Sequence, residues 1–143
     1  MAAERLVIDS GFLLESILPT RREWKHDADR LLEAMASGDV QAVVPWVFFY
    51  ELASVCARKV RARRLDAETV ALFFELLTQS GFQLDLALSG PGELYAQAMA
   101  MGCQVADSIY LGVAKAQDLP LATVDGGLRT AARSAGVELW KAE

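Results

Sequence analysis

Two rhythms alternate along the chain. Short unbroken apolar runs are followed by longer segments in which apolar residues recur every three or four positions. Residues 5–8 form the first short run, a buried strand that ends at Asp9. Residues 10–18 (SGFLLESIL) read as a helix that Pro19 helps to stop. Across 24–36, Ala28, Leu31, Leu32 and Met35 fall at helical spacing, and Gly38 closes the segment. QAVVP is a second strand, and a helix rich in aromatics runs from 46 to about 61. Asp66 is a good N-cap for a helix reaching about 79, with Gly81 beyond its end. FQLDL is the third strand, and Pro91 stands where a helix reaching Gly102 can start. A helix over 105–117, the strand LPLATV, the helix GGLRTAARSA and a final strand VELW complete the chain. Apolar strands alternating with helices predict a parallel three-layer α/β/α sandwich, one domain spanning residues 1–143.

This architecture gives four acids a common address. Right-handed crossovers bring the carboxyl ends of parallel strands to one edge, where such sheets bind ligands. Asp9 follows strand one and Asp125 follows strand four. Asp107 lies in the first turn of the helix that leads into strand four, and Glu51 near the start of the helix after strand two. Both helices begin at the same edge. Each acid also has a plainer use: Asp9 as an N-cap, Asp107 as a helix-dipole partner, Asp125 as a turn residue. Glu51 is harder to explain that way, because its surroundings WVFFYELASVC are almost wholly apolar and a buried carboxylate is costly without compensation.

Composition narrows the chemistry. The net charge of -5 argues against a bulk electrostatic grip on nucleic acid, though a local basic face is enough for binding. Cys56 and Cys103 lack metal-site spacing and read as reduced, packed thiols. His26, the one histidine, lies in a surface-like segment, so no histidine base is expected. Four convergent carboxylates repel one another, and a divalent cation relieves both that repulsion and the cost of burial. Oxygen-only ligands favour Mg²⁺ or Mn²⁺ over zinc and suggest hydrolysis by metal-activated water. The opening residues lack the layout of a signal peptide, and the apolar run 43–50 is far short of the ~20 residues of a membrane helix. A cytoplasmic enzyme with no membrane partner is expected.

Three stretches carry a resemblance to a known family. LVIDSGFLLE, FYELASV and the long block VADSIYLGVAKAQDLPLATVDGGLRTAARSAGVEL resemble, in order and spacing, the motifs of the PIN domain family, and specifically its VapC-type toxin ribonucleases. The resemblance implies a parallel sheet in the order 3-2-1-4-5, Mg²⁺- or Mn²⁺-dependent endonucleolytic cleavage of RNA, homodimerisation, and inhibition by a cognate antitoxin. It makes Asp9 and Asp107 metal ligands, while Glu51 and Asp125 either bind metal or position water. Ser10 and Thr123 place hydroxyls beside these acids, to orient a ligand, touch the scissile phosphate or bond the local backbone. The DGG after Val124 departs from the pattern of relatives with a bulkier or basic residue there.

Arg58, Lys59, Arg61, Arg63 and Arg64 cluster without an intervening acid and are either a phosphate-facing patch or a solvated helix end. Arg21, Arg22, Lys25 and His26 read as an exposed loop and helix start. Trp46, Phe48, Phe49 and Tyr50 cannot all face one core, and Phe73 and Phe74 raise the same question. By resemblance, these two helices form an antitoxin-binding clamp. Two other α/β readings fit poorly. A dehalogenase-like phosphatase wants a second Asp where Gly11 stands. A receiver domain, with Asp85 and Lys141 in its key roles, leaves Glu51 and Asp107 without a use. The remaining alternative is a catalytically silent PIN-like module that binds RNA or protein.

Overall fold

The computed structural model describes residues 2–141; residues 1, 142 and 143 lie outside the described residues. Strand β1 (Glu4–Ile8) is apolar because it is covered on both faces: Leu6, Val7 and Ile8 have no exposed surface. The same holds in β2 (Val40–Pro45) for Ala42, Val43 and Val44. With β3 (Phe82–Asp85) and β4 (Leu121–Ala122) they form a parallel sheet ordered β3-β2-β1-β4.

Among the described residues seven helices connect and cover the strands: α1 (Ser10–Leu14), α2 (Arg22–Ser37), α3 (Val47–Arg61), α4 (Ala67–Ser80), α5 (Pro91–Met101), α6 (Val105–Gln117) and α7 (Gly126–Ser134). With the right-handed crossovers general to parallel strands, the order β3-β2-β1-β4 puts α2 and α4, which touch each other, on one face and α5 and α6 on the other, where α6 packs on β1 and β2. Helix α2 buries Ala28, Leu31, Leu32 and Met35 and ends at Gly38, whose φ of 85° only glycine adopts without strain. The Asp66 carboxylate caps α4 by accepting from the Glu68 N–H. Between α1 and α2 the chain is pinned by Glu15, which is buried and accepts from both the backbone N–H and the hydroxyl of Thr20.

The sheet is shorter than expected at its β4 edge. LPLATV pairs only over Leu121–Ala122, and Pro120, with no N–H to give a ladder, marks where that pairing begins. So short a template leaves the expected fifth strand, VELW, as a single parallel bridge between Leu121 and Leu139. The fifth position in the order 3-2-1-4-5 is thus marked by one residue rather than a strand. The expected helix over 10–18 is regular only to Leu14 and continues as turns.

Candidate active site

The carboxyl ends of β1, β2 and β4 gather the four acids expected there. Asp9 stands at the N-cap position of α1 but makes no side-chain cap bond. Its Oδ2 instead accepts from the Thr123 hydroxyl at 2.8 Å. Thr123 is fully buried and serves three groups. Besides holding Asp9, its hydroxyl oxygen accepts from the Asp125 N–H at 3.1 Å, and its carbonyl accepts from Arg129 Nη1 at 2.9 Å. The backbone joins the same two ends, with the Asp9 N–H donating to the Ala122 carbonyl at 2.9 Å. The end of β1 and the start of α7 are therefore locked through one threonine.

Glu51 is held from the other side. Its Oε1 accepts from the Tyr110 hydroxyl at 2.5 Å and from the Ser10 hydroxyl at 3.2 Å. Tyr110 has no exposed surface, and it lies on the same face of α6 as Asp107, one turn earlier. Glu51 itself is only half-buried; the deeply buried acid is Asp9, at 8% exposure. The apolar context that made Glu51 conspicuous belongs to its neighbours Phe48 and Leu52, which point into the core.

Electrostatics couples the cluster. Burial, with the nearby charges of Glu51 and Asp107, pushes the Asp9 carboxyl up to about 7 against the opposing hydrogen bond from Thr123. Burial, then the charges of Asp125 and Glu51, pushes Asp107 up to about 6. Burial and the bond to Glu51 raise the Tyr110 phenol, so it remains a donor at any physiological pH. Asp125 is exposed, and one of its oxygens caps α7 by accepting from the Leu128 N–H at 2.8 Å. Its plainer use as a local backbone partner is therefore present alongside its place in the cluster.

The donor set suits a hard divalent cation: four carboxylates, no histidine, and two acids whose ionisation is opposed until positive charge arrives. Among the described residues no three His, Cys, Asp or Glu side chains make a ready-made metal cage. Mg²⁺ does not require one, because it keeps several waters and is held by one or two carboxylates together with substrate phosphate. On that chemistry the residues fit such an ion.

Other expected residues lie apart or turn up unannounced. Arg61, Arg63 and Arg64 are exposed, and Arg61 is ten residues beyond Glu51, about 15 Å along α3. They do not adjoin the acids. Arg129, one turn after Asp125, donates to the Thr123 carbonyl and lies 5.4 Å over the Trp24 ring. Cys56 is buried as expected, whereas Cys103 is partly exposed, and the charges of Asp107 and Asp125 help burial to raise its thiol. Tyr110 and Arg129 carried one sequence signal, a polar tip on an otherwise apolar helical face one turn after a candidate acid.

A protein-family model described as PIN domain matches residues 6–134, which run from β1 through α7 and include all four acids. Among solved structures, the crystal structure of PAE2754 from Pyrobaculum aerophilum is similar, with a TM-score of 0.66 and 21% identity over 92% of this chain and 87% of that one. A domain of a functionally unknown protein from Methanocaldococcus jannaschii is also similar, with a TM-score of 0.56 and 17% identity over 99% of this chain and 92% of that one. At such identities the likeness speaks for the fold. No curated protein sequence matches significantly.

Proposed function

The chain belongs to the PIN domain family, whose members are in general nucleases, and from that premise we propose that it is a Mg²⁺- or Mn²⁺-dependent endoribonuclease of the VapC type. The observation that carries this reading is the convergence of Asp9, Glu51, Asp107 and Asp125 at one sheet edge, with Thr123, Tyr110 and Ser10 fixing two of them. Asp9 and Asp107 would be the principal metal ligands, with Glu51 and Asp125 as further ligands or positioners of water. A bound divalent ion supplies a Lewis acid that polarises a phosphoryl oxygen and acidifies water. The chain's own part is orientation. Thr123 holds one oxygen of Asp9, leaving the other for the cleft, and Tyr110 with Ser10 does the same for Glu51. In the hydrolysis, water oxygen adds to phosphorus as the P–O bond to the leaving ribose breaks. The proton that water loses passes to a carboxylate of the cluster, and the leaving ribose oxygen takes up a proton from solvent.

In this proposal the protein is the toxin of a toxin–antitoxin pair, a homodimer working in the cytoplasm. Support for a protein partner comes from α3 and α4. Phe49, Leu52, Phe74, Leu77 and Phe82 line an apolar groove of about 450 Å³, suited to the apolar face of an antitoxin segment. No helix among the described residues is long and apolar enough to cross a membrane. Arg61, Arg63 and Arg64 would contact RNA phosphates beyond the cut site.

Gel-based cleavage of RNA with added Mg²⁺ tests the activity. Wild type is expected to degrade RNA, and Asp9→Asn and Asp107→Asn to be at least a hundred-fold slower. Activity in none of the three would favour a silent RNA- or protein-binding module; equal activity in all would remove the acids from the mechanism.

A further inference from the structure

At the same carboxyl edge of the sheet as the acids, a cavity of about 320 Å³ opens between the ends of β2 and β3 and the helices α5 and α6. Helix α6 separates the two: it carries Asp107 and Tyr110 on the face toward the acids and Ile109 and Gly112 on the face toward the cavity. The cavity's size is at the lower end of the range for small-ligand sites, about 300–1,000 Å³. Trp46 is 48% exposed, which leaves indole surface open to a stacking partner. Leu88 and Ile109 supply further apolar wall.

The charged group on this wall, Asp85, is purely an acceptor. Asp85 uses one oxygen for the Ala87 N–H at 2.9 Å and the other for Gln117 Nε2 at 2.9 Å. A carboxylate has about four acceptor positions, so two are left. Gln97 donates its Nε2 to the Ser108 carbonyl at 2.6 Å. That bond fixes the orientation of the amide, since a carbonyl oxygen cannot donate, and it leaves Gln97 its carbonyl and one N–H. Gly112 makes this arrangement possible, because a Cβ there would stand 2.9 Å from Gln97 Nε2. Ser89 adds one hydroxyl that can donate or accept.

We propose that this cavity is a nucleobase subsite: an unpaired base a short way along the RNA from the cut stacks on Trp46, and the free acceptor positions of Asp85 select bases with an exocyclic amino group over uracil. The inference rests on the RNA-cleaving reading for its choice of ligand. Stacking on an aromatic face tolerates any base. Discrimination comes from the edge: cytosine offers a 4-amino donor where uracil has an acceptor, which would face the Asp85 carboxylate unfavourably.

The test is binding rather than cleavage. The double variant D9N/D107N lowers the repulsion between acids and phosphates, so short RNA can be measured without metal. Fluorescence anisotropy with labelled eight-residue oligocytidylate and oligouridylate should give about ten-fold tighter binding to cytidylate. Adding Trp46→Ala should weaken both about ten-fold, whereas Trp46→Phe keeps most of the affinity. Adding Asp85→Asn should erase the preference while leaving uridylate binding in place. Equal affinity for the two RNAs, a preference that Asp85→Asn leaves intact, or affinities that Trp46→Ala leaves unchanged would overturn the subsite and leave the nuclease proposal standing. No binding of either RNA would overturn both.

Discussion

At the residue scale the site depends on groups that never touch the cleft. Tyr110 and Thr123 are fully buried and each gives its hydroxyl to an acid: Tyr110 to Glu51, Thr123 to Asp9. Removing such a supporting partner from a metal site generally costs 10–100-fold in metal affinity or activity. Tyr110→Phe should therefore lower kcat about ten-fold or raise the Mg²⁺ requirement, with KM for RNA little changed. Steady-state kinetics across Mg²⁺ concentrations checks this, and an unchanged kcat and Mg²⁺ requirement would make the Tyr110 contact structural only. The four acids were legible in the sequence because strand ends and helix starts fix where a residue falls on the sheet edge. Their partners were not, because Thr123→Asp9 and Tyr110→Glu51 join residues 114 and 59 positions apart, and no local pattern encodes such pairs. The depth of Glu51 was misjudged for a related reason: an apolar neighbourhood in sequence places its neighbours on a helix face, not the residue itself.

At the element scale, α6 does the most positioning. It buries Tyr110, Leu111 and Ala114 against the sheet, presents Asp107 at its first turn, and turns Ile109, Gly112 and Val113 to the neighbouring cavity. Its length and period were plain in the sequence, as were those of α2 and α4. The β4 edge was not, because a strand's extent depends on partners that the apolar run LPLATV does not reveal. Helix α3 carries Glu51 at one end and the basic residues at the other. On single-stranded RNA each phosphate contact contributes about 0.7 to the slope of log K against log salt. Neutralising Arg61, Arg63 and Arg64 together should thus flatten that slope by about 2. Filter-binding titrations over a range of salt would read this, and an unaltered slope would take the patch out of the RNA path.

At the scale of the whole molecule, the acid cluster is a stability liability when no cation neutralises it. Asp9 is pushed from 3.8 to about 7, and Asp107 from 3.8 to about 6. An acid whose folded pKa is raised favours the folded state most when protonated. Its contribution is full below the unfolded pKa and is lost as pH rises through the folded one. In chelator, thermal stability should therefore fall by several degrees between pH 4 and pH 7, and Asp9→Asn should remove much of that fall. Added Mg²⁺ should restore stability most at the upper end of that window, where the carboxylates are ionised. Melting curves across pH with and without Mg²⁺ distinguish this from a metal-indifferent fold, whose curves would superimpose.

The central claim is that these carboxylates act on RNA through a divalent ion. Its most direct test is the initial rate of cleavage of one defined RNA as Mg²⁺ is titrated from chelator upward, in wild type and in Asp107→Asn. The expected result is no cleavage in chelator, a saturating rise in wild type, and at least a hundred-fold lower plateau in the variant. Cleavage that persists in chelator, or a variant that matches wild type at every Mg²⁺ concentration, would contradict it.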